Sequence, residues 1–141
     1  MSQAREMKAV GRQRLDDLIA VSFFKTVLGG EIREFGAGRC ELFMIVKAEF
    51  RQFLGAVHGG IVGALADDAC AWACASVAGE LVTASYTINL LAAASGDSLL
   101  ARGHLVKAGR RIIVGRSEVF SVSSGGAETV VAIYQATMSP V

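Results

Sequence analysis

At 141 residues, 52% apolar and 19% charged, with a formal charge of +1, the chain is long enough for one hydrophobic core and too short for a second domain. The near-neutral balance supplies no concentrated basic field, which argues against nucleic acid and anionic membrane surfaces as partners. So apolar a composition on so small a domain leaves apolar surface to be covered, and this predicts a homo-oligomer, a dimer or a dimer of dimers.

Residues 1–12 are polar and expected to be loose. They carry basic residues with no apolar stretch behind them, so they do not read as a secretory signal. The expected compartment is the cytoplasm, where Cys40, Cys70 and Cys74 stay reduced. From Leu15 the positions Leu15, Leu18, Ile19, Ser22, Phe23 and Val27 recur at threes and fours, which predicts one helix with Asp16 and Asp17 in its first turn and Gly29-Gly30 as its stop. Segments 31–35 and 39–47 flank Gly36-Ala37-Gly38 and read as a hairpin.

The stretch from Gly55 to Gly79 stands apart. From Ile61 to Ala78 nearly every residue is apolar or small, yet Asp67 and Asp68 sit in the middle. A helix that is apolar all round must be surrounded by protein or by lipid. Lipid is disfavoured, since each mid-membrane Asp costs about 2.5 to 3.5 kcal/mol. The chain therefore reads as wrapped around a buried helix that opens at His58-Gly59-Gly60.

Beyond it, 81–91 alternates Val82, Ala84, Tyr86, Ile88 and Leu90 with Thr83, Ser85, Thr87 and Asn89, a strand with one buried and one polar face. Turns at 95–97, 108–109 and 123–126 divide the remainder into strands 99–106, 111–122 and 127–137. Four successive strands with short turns predict an antiparallel meander. The fold class is α+β: one antiparallel sheet wrapped around a long central helix.

Adjacent helical residues lie about 100° apart, so Asp67 and Asp68 serve different ends. An ionised carboxylate facing a site suits a nucleophile or a general base; the other is left to cap, pair across an interface or meet solvent. Glycines at a helix N-terminus expose backbone N–H groups with no intrahelical acceptor, a setting that polarises a carbonyl oxygen. From Ser98 to Ser117 run Arg102, Lys107, Arg110, Arg111 and Arg116 with no acid between them, either a solvated hairpin or a grip on phosphate. Cys70 and Cys74 read as packing, and His58 with distant His104 is too few ligands for a metal. No G-x-S-x-G or phosphate-binding loop occurs, which disfavours serine and nucleotide hydrolases.

His58-Gly59-Gly60 with an acid nine positions after the histidine, Asp67, and the downstream run ASGDSLLARGHLVKAGR together resemble the hotdog-fold acyl-CoA thioesterases of the phenylacetate-degradation and hydroxybenzoyl-CoA type, over about residues 36–138. The resemblance implies an acyl-CoA substrate, no separate cofactor, and a site shared between two subunits. It implies Asp67 as nucleophile or general base, Gly59 as the amide that polarises the thioester, and His58 as a residue that orients the turn or the thioester rather than acting as a base. Gln52 would bond the thioester or steady its loop, Thr83 would hold the attacking water, and Lys107, Gly109, Arg110 and Arg111 would meet coenzyme A. Ala71 stands where some relatives have a hydroxyl, which leaves Thr83 as the hydroxyl candidate. A non-catalytic acyl-CoA sensor and a dehydratase acting on acyl thioesters on the same fold are the alternatives.

Overall fold

In the computed structural model, which describes residues 8–141, the chain opens with helix α1 (Arg12–Ala20) and the short helix α2 (Phe23–Thr26). The single helix expected across this region is thus two, and Ser22 is the cause. Its hydroxyl donates to the Ile19 carbonyl at 2.8 Å and accepts from the Lys25 N–H at 3.4 Å, closing one helix and capping the next. Because α1 begins at Arg12, Asp16 and Asp17 are not in its first turn; Asp16 pairs with Arg12 at 2.9 Å instead. Of the stretch expected to be loose, 1–7 lie outside the described residues, while Val10 is buried and its N–H donates to the Ala75 carbonyl at 2.9 Å.

Strands β1 (Glu31–Gly36) and β2 (Arg39–Ile45) form the expected hairpin. Its turn is the pair Ala37-Gly38, with φ of 51° and 78°, the two positive values that match the twist of the flanking strands. Helix α3 (Gly59–Ala78) follows, and it touches every strand of the sheet. By length and composition it is apolar enough to cross a membrane, but here the sheet takes the place of lipid.

The close approach of helix and sheet is written into two glycines. A Cβ at Gly103 on β4 (Ser98–Ala108) would fall 2.0 Å from the Ala69 carbonyl oxygen. One at Gly115 on β5 (Ile113–Val122) would fall 2.5 and 2.7 Å from the Cys74 and Cys70 sulfurs. Opposite Gly103 in the ladder, the Ser117 hydroxyl donates to the Ala66 carbonyl at 2.7 Å, fixing the rotation of α3 against the sheet.

With β3 (Leu81–Leu90) and β6 (Glu128–Pro140) the sheet has six strands in the order β1-β2-β4-β5-β6-β3, every neighbouring pair antiparallel. This corrects the four-strand meander. Only β4, β5 and β6 form one, and β3 pairs with β6 at the far edge. The connection 91–97 crosses three inter-strand spacings, about 14 Å, which seven extended residues span easily and a hairpin loop of 2–5 residues would not need.

The edge position also corrects the burial expected of β3. Val82, Tyr86 and Leu90 are 56%, 59% and 57% exposed, because one side of the strand has no neighbour among the described residues. Arg102, the first of the basic run, is committed to the sheet: it binds Glu128 through two bonds of 2.9 and 2.8 Å and Glu41 at 2.9 Å, and it lies over the Phe120 ring.

Candidate active site

Asp67 lies in α3 eight residues beyond Gly59, and two hydroxyls converge on one of its oxygens. Thr83 Oγ1 donates to Oδ1 at 2.8 Å, and the Tyr134 hydroxyl donates to the same atom. Strict alternation would put Thr83 on the face opposite Tyr86, but the ladder with β6 skips Ala84. Thr83 faces Met138, Ser85 faces Thr137 and Tyr86 faces Ala136. Met138 and Ala136 are buried, so this bulge turns both Thr83 and Tyr86 toward the helix.

Tyr134 is absent from the sequence-based site. It is fully buried on β6 and stacks on Tyr86 with ring centroids 5.2 Å apart. Burial first, and then the Asp67 carboxylate, push its phenol well above the ordinary value, so it stays a proton donor. The available signal was a tyrosine at an inward position of an apolar strand, whose buried hydroxyl must find a partner.

Asp68 is half-buried, lines the same cleft, and is pushed up to about 7 by burial, with the neighbouring Asp67 charge adding to the effect. In turn Asp68 adds to the burial that pushes the Cys40 thiol up to about 12. A carboxyl harder to ionise folded than unfolded holds its proton longer in the native state, so it makes stability fall as pH rises from 3.8 to about 7. Asp68→Asn should therefore flatten the dependence of Tm on pH between about 4 and about 8 and raise Tm at the alkaline end. An unchanged slope in thermal melts would refute the assignment.

A second cluster forms at the start of α3. His58 is the N-cap, its Nδ1 accepting from the Gly60 N–H at 2.9 Å, a bond that requires the proton of a neutral ring on Nε2. The Gly59 N–H finds no acceptor among the described residues. The preceding loop folds back on itself through an Arg51–Val57 bridge, with the His58 N–H donating to the Phe50 carbonyl at 2.8 Å. Gln52 sits in this loop and accepts from the Leu54 N–H through Oε1, which leaves its NH₂ to donate elsewhere. Phe53 and Leu54, at the tip, are 93% and 77% exposed.

Within one chain the two clusters do not meet, since eight residues of helix separate Gly59 from Asp67 by about 12 Å. Asp67 opens into a cleft of about 370 Å³ whose walls include Leu18, Ala71, Trp72, Leu81 and Val82. The indole N–H of Trp72 is buried with no partner among the described residues.

This cleft shares Glu80 and Val141 with a larger one of about 880 Å³ at the C-terminal end of α3. The larger cleft is cationic: Lys8, Arg14, Arg110 and Arg111 line it, and the one acid among its described lining residues, Glu80, is held by Arg14 at 2.8 Å. Lys107 does not line it; it is an exposed residue near the end of β4. Gly109 forms the hairpin turn, donating to the Ile112 carbonyl at 3.0 Å.

The sequence matches the family model of the thioesterase superfamily over residues 54–127, more than half of the chain. No curated protein matches it significantly. Among solved structures, a thioesterase family protein from Silicibacter pomeroyi is similar with a TM-score of 0.85 and 29% identity, covering 90% of this chain and 95% of that one. The PaaI protein of the E. coli phenylacetic acid degradation operon is similar at 0.74 and 26%, covering 91% and 92%. A mutant of the phenylacetic acid degradation protein PaaI from Thermus thermophilus is similar at 0.74 and 28%, covering 85% and 100%.

Proposed function

Because this chain belongs to the thioesterase superfamily and carries its hotdog fold, we propose that it hydrolyses an aromatic or medium-chain acyl-CoA thioester to the free acid and CoA. The observation that carries this reading is Asp67, held by two hydroxyls at a largely apolar cleft that adjoins a cationic one. The acyl group occupies the first cleft, where the unpartnered Trp72 N–H is a donor for a carbonyl or hydroxyl of the ligand. The phosphates of coenzyme A occupy the second, opposite Arg110 and Arg111. Coenzyme A is part of the substrate, and the reaction needs no other cofactor.

The free Gly59 N–H donates a hydrogen bond to the carbonyl oxygen as negative charge develops on it, helped by the positive end of the α3 dipole. Asp67 Oδ2 takes a proton from water as the water oxygen adds to the carbonyl carbon. The C–S bond then breaks, and the thiolate leaves to be protonated. In the second form of the mechanism Oδ2 itself adds to the carbonyl carbon, the thiolate departs, and water cleaves the resulting anhydride. His58 holds the turn and Gln52 steadies the loop.

A second copy of the chain is needed to bring the two clusters together, and β3 supplies the geometry. Thr83, beside Asp67, lies near one end of β3, and Leu90, the neighbour a Cβ on Gly59 would touch at 2.9 Å, lies at the other. Antiparallel pairing of two β3 edges about a two-fold axis near Tyr86 sets each Thr83 opposite the partner's Leu90, and so each Asp67 near the partner's Gly59. The unpaired edge and its exposed Val82, Tyr86 and Leu90 favour that arrangement. The buried free thiols of Cys40, Cys70 and Cys74 suit a cytoplasmic protein.

Thiol release from a panel of aromatic and aliphatic acyl-CoAs tests the reading. Turnover of at least one is expected, and binding without thiol release from any would make the protein an acyl-CoA binder. Arg110→Ala with Arg111→Ala should raise KM for acyl-CoA and leave kcat nearly unchanged, because contacts remote from the thioester hold substrate and transition state alike. A pantetheine thioester without the nucleotide should be indifferent to the double substitution. Equal losses on both substrates would mean that the arginines serve the fold.

A further inference from the structure

No described lining residue of the cleft around Asp67 is a cation that could hold a carboxylate. Among its described lining residues the charged side chains are Asp67, Asp68 and Glu80, all acidic. The other titratable groups close to Asp67 are Cys70 on its own helix and Tyr134 on β6, with Tyr86 stacked behind the latter on β3. The charged neighbours in this set, Asp68 and Glu80, are acids and repel the Asp67 carboxylate. The groups that hold it are the two hydroxyl donors, Thr83 and Tyr134, and both address Oδ1.

Resting on the thioesterase reading above, we infer that Tyr134 is a positioning residue. Together with Thr83 it ties down Oδ1 of Asp67, fixes the plane of the carboxylate, and so leaves Oδ2, which has no hydrogen-bond partner among the described residues, as the oxygen that reacts. The two donors are not equivalent. Thr83 lies on an edge strand whose other side is unpaired, whereas Tyr134 is fully buried between two paired neighbours, β5 and β3. Tyr134 therefore provides the rigid half of the clamp. The stacked Tyr86 ring keeps the phenol from rotating away.

The test is Tyr134→Phe, which keeps the ring and its stacking and removes only the oxygen, with Thr83→Val and the double variant beside it. For Tyr134→Phe, kcat should fall by roughly ten-fold or more, the size expected for one hydrogen bond to a charged group, with KM within about two-fold of wild type. The acid limb of the kcat/KM profile should move to higher pH, because a donor to the ionised form has been lost. The double variant should lose less than the product of the single losses if the hydroxyls act as one clamp.

A readout independent of turnover separates this inference from the activity on which it rests. In protein labelled with ¹³C at the aspartate carboxyls, the Asp67 signal, assigned by its absence in Asp67→Asn, should move in chemical shift between wild type and Tyr134→Phe, because one hydrogen bond to Oδ1 has been lost. If wild type releases no thiol but the signal moves, the proposed activity fails and the role of Tyr134 in holding the carboxylate stands. If wild type is active and Tyr134→Phe matches it in kcat, acid limb and carboxyl signal, the inference about Tyr134 is overturned.

Discussion

Replacing Asp67 by Asn should lower kcat by about 10²- to 10⁴-fold, the range for loss of a general base or nucleophile, while the chain still folds. Asn keeps a carbonyl oxygen where Oδ1 now accepts from Thr83 and Tyr134, so both bonds survive and only the reactive charge is removed. Asp68→Asn is the control: it lines the same cleft, but no side chain among the described residues hydrogen-bonds its carboxyl, and its effect on rate should be much smaller. Steady-state thiol release decides the matter. A reversed order, with Asp68→Asn the more damaging, would transfer the chemistry from Asp67 to Asp68.

The second large effect concerns a single hydrogen atom. Gly59 occupies the first position of α3, where proline is tolerated because its N–H would lack an intrahelical acceptor in any case. Gly59→Pro should fold and still lose about 10²- to 10³-fold in kcat, the cost of removing one oxyanion donor. Gly59→Ala carries a Cβ that meets Leu90 Cδ1 at 2.9 Å, a flexible side-chain end, yet it keeps the N–H and should stay within about ten-fold of wild type.

Mixing Asp67→Asn with Gly59→Pro after unfolding and refolding together gives a further result. If each site draws Asp67 from one subunit and Gly59 from the other, half of the dimers have one intact site. About a quarter of wild-type activity should then return from two inactive proteins. If one chain holds a whole site, the mixture stays inactive.

The central helix was legible because its composition admits one solution: a run apolar on all sides, interrupted by carboxylates, has to be enclosed by protein. Its opening at His58 and the register from His58 to Asp67 were legible for the same reason, since a helix fixes spacing. What the strands do next depends on pairing, which sequence order specifies poorly. The alternation in 81–91 located β3 correctly but could not reveal that its partner is β6, and the length of 91–97 was the overlooked sign. Alternation also assigned Thr83 to the wrong face, because the bulge at Ala84 depends on the ladder with β6 and leaves no mark in composition. Tyr134 was missed because its partner lies 67 residues away in the chain. Ser22 was read as a position in an apolar period when its hydroxyl was the more informative property.

Gly103 and Gly115 fix how deeply α3 sinks into the sheet, and with it the floor on which Asp67 stands. Such a floor resists tinkering, because a methyl group at Gly103 collides with backbone, which has no rotamer to move into. Variants that accept new acyl groups should therefore arise elsewhere, at the walls formed by Leu18, Ala71 and Val82, where side-chain size changes the bore without disturbing the reactive carboxylate. Selectivity in this scaffold is free to drift while its chemistry stays put, since wall side chains can change size without altering the helix–sheet contact that carries Asp67.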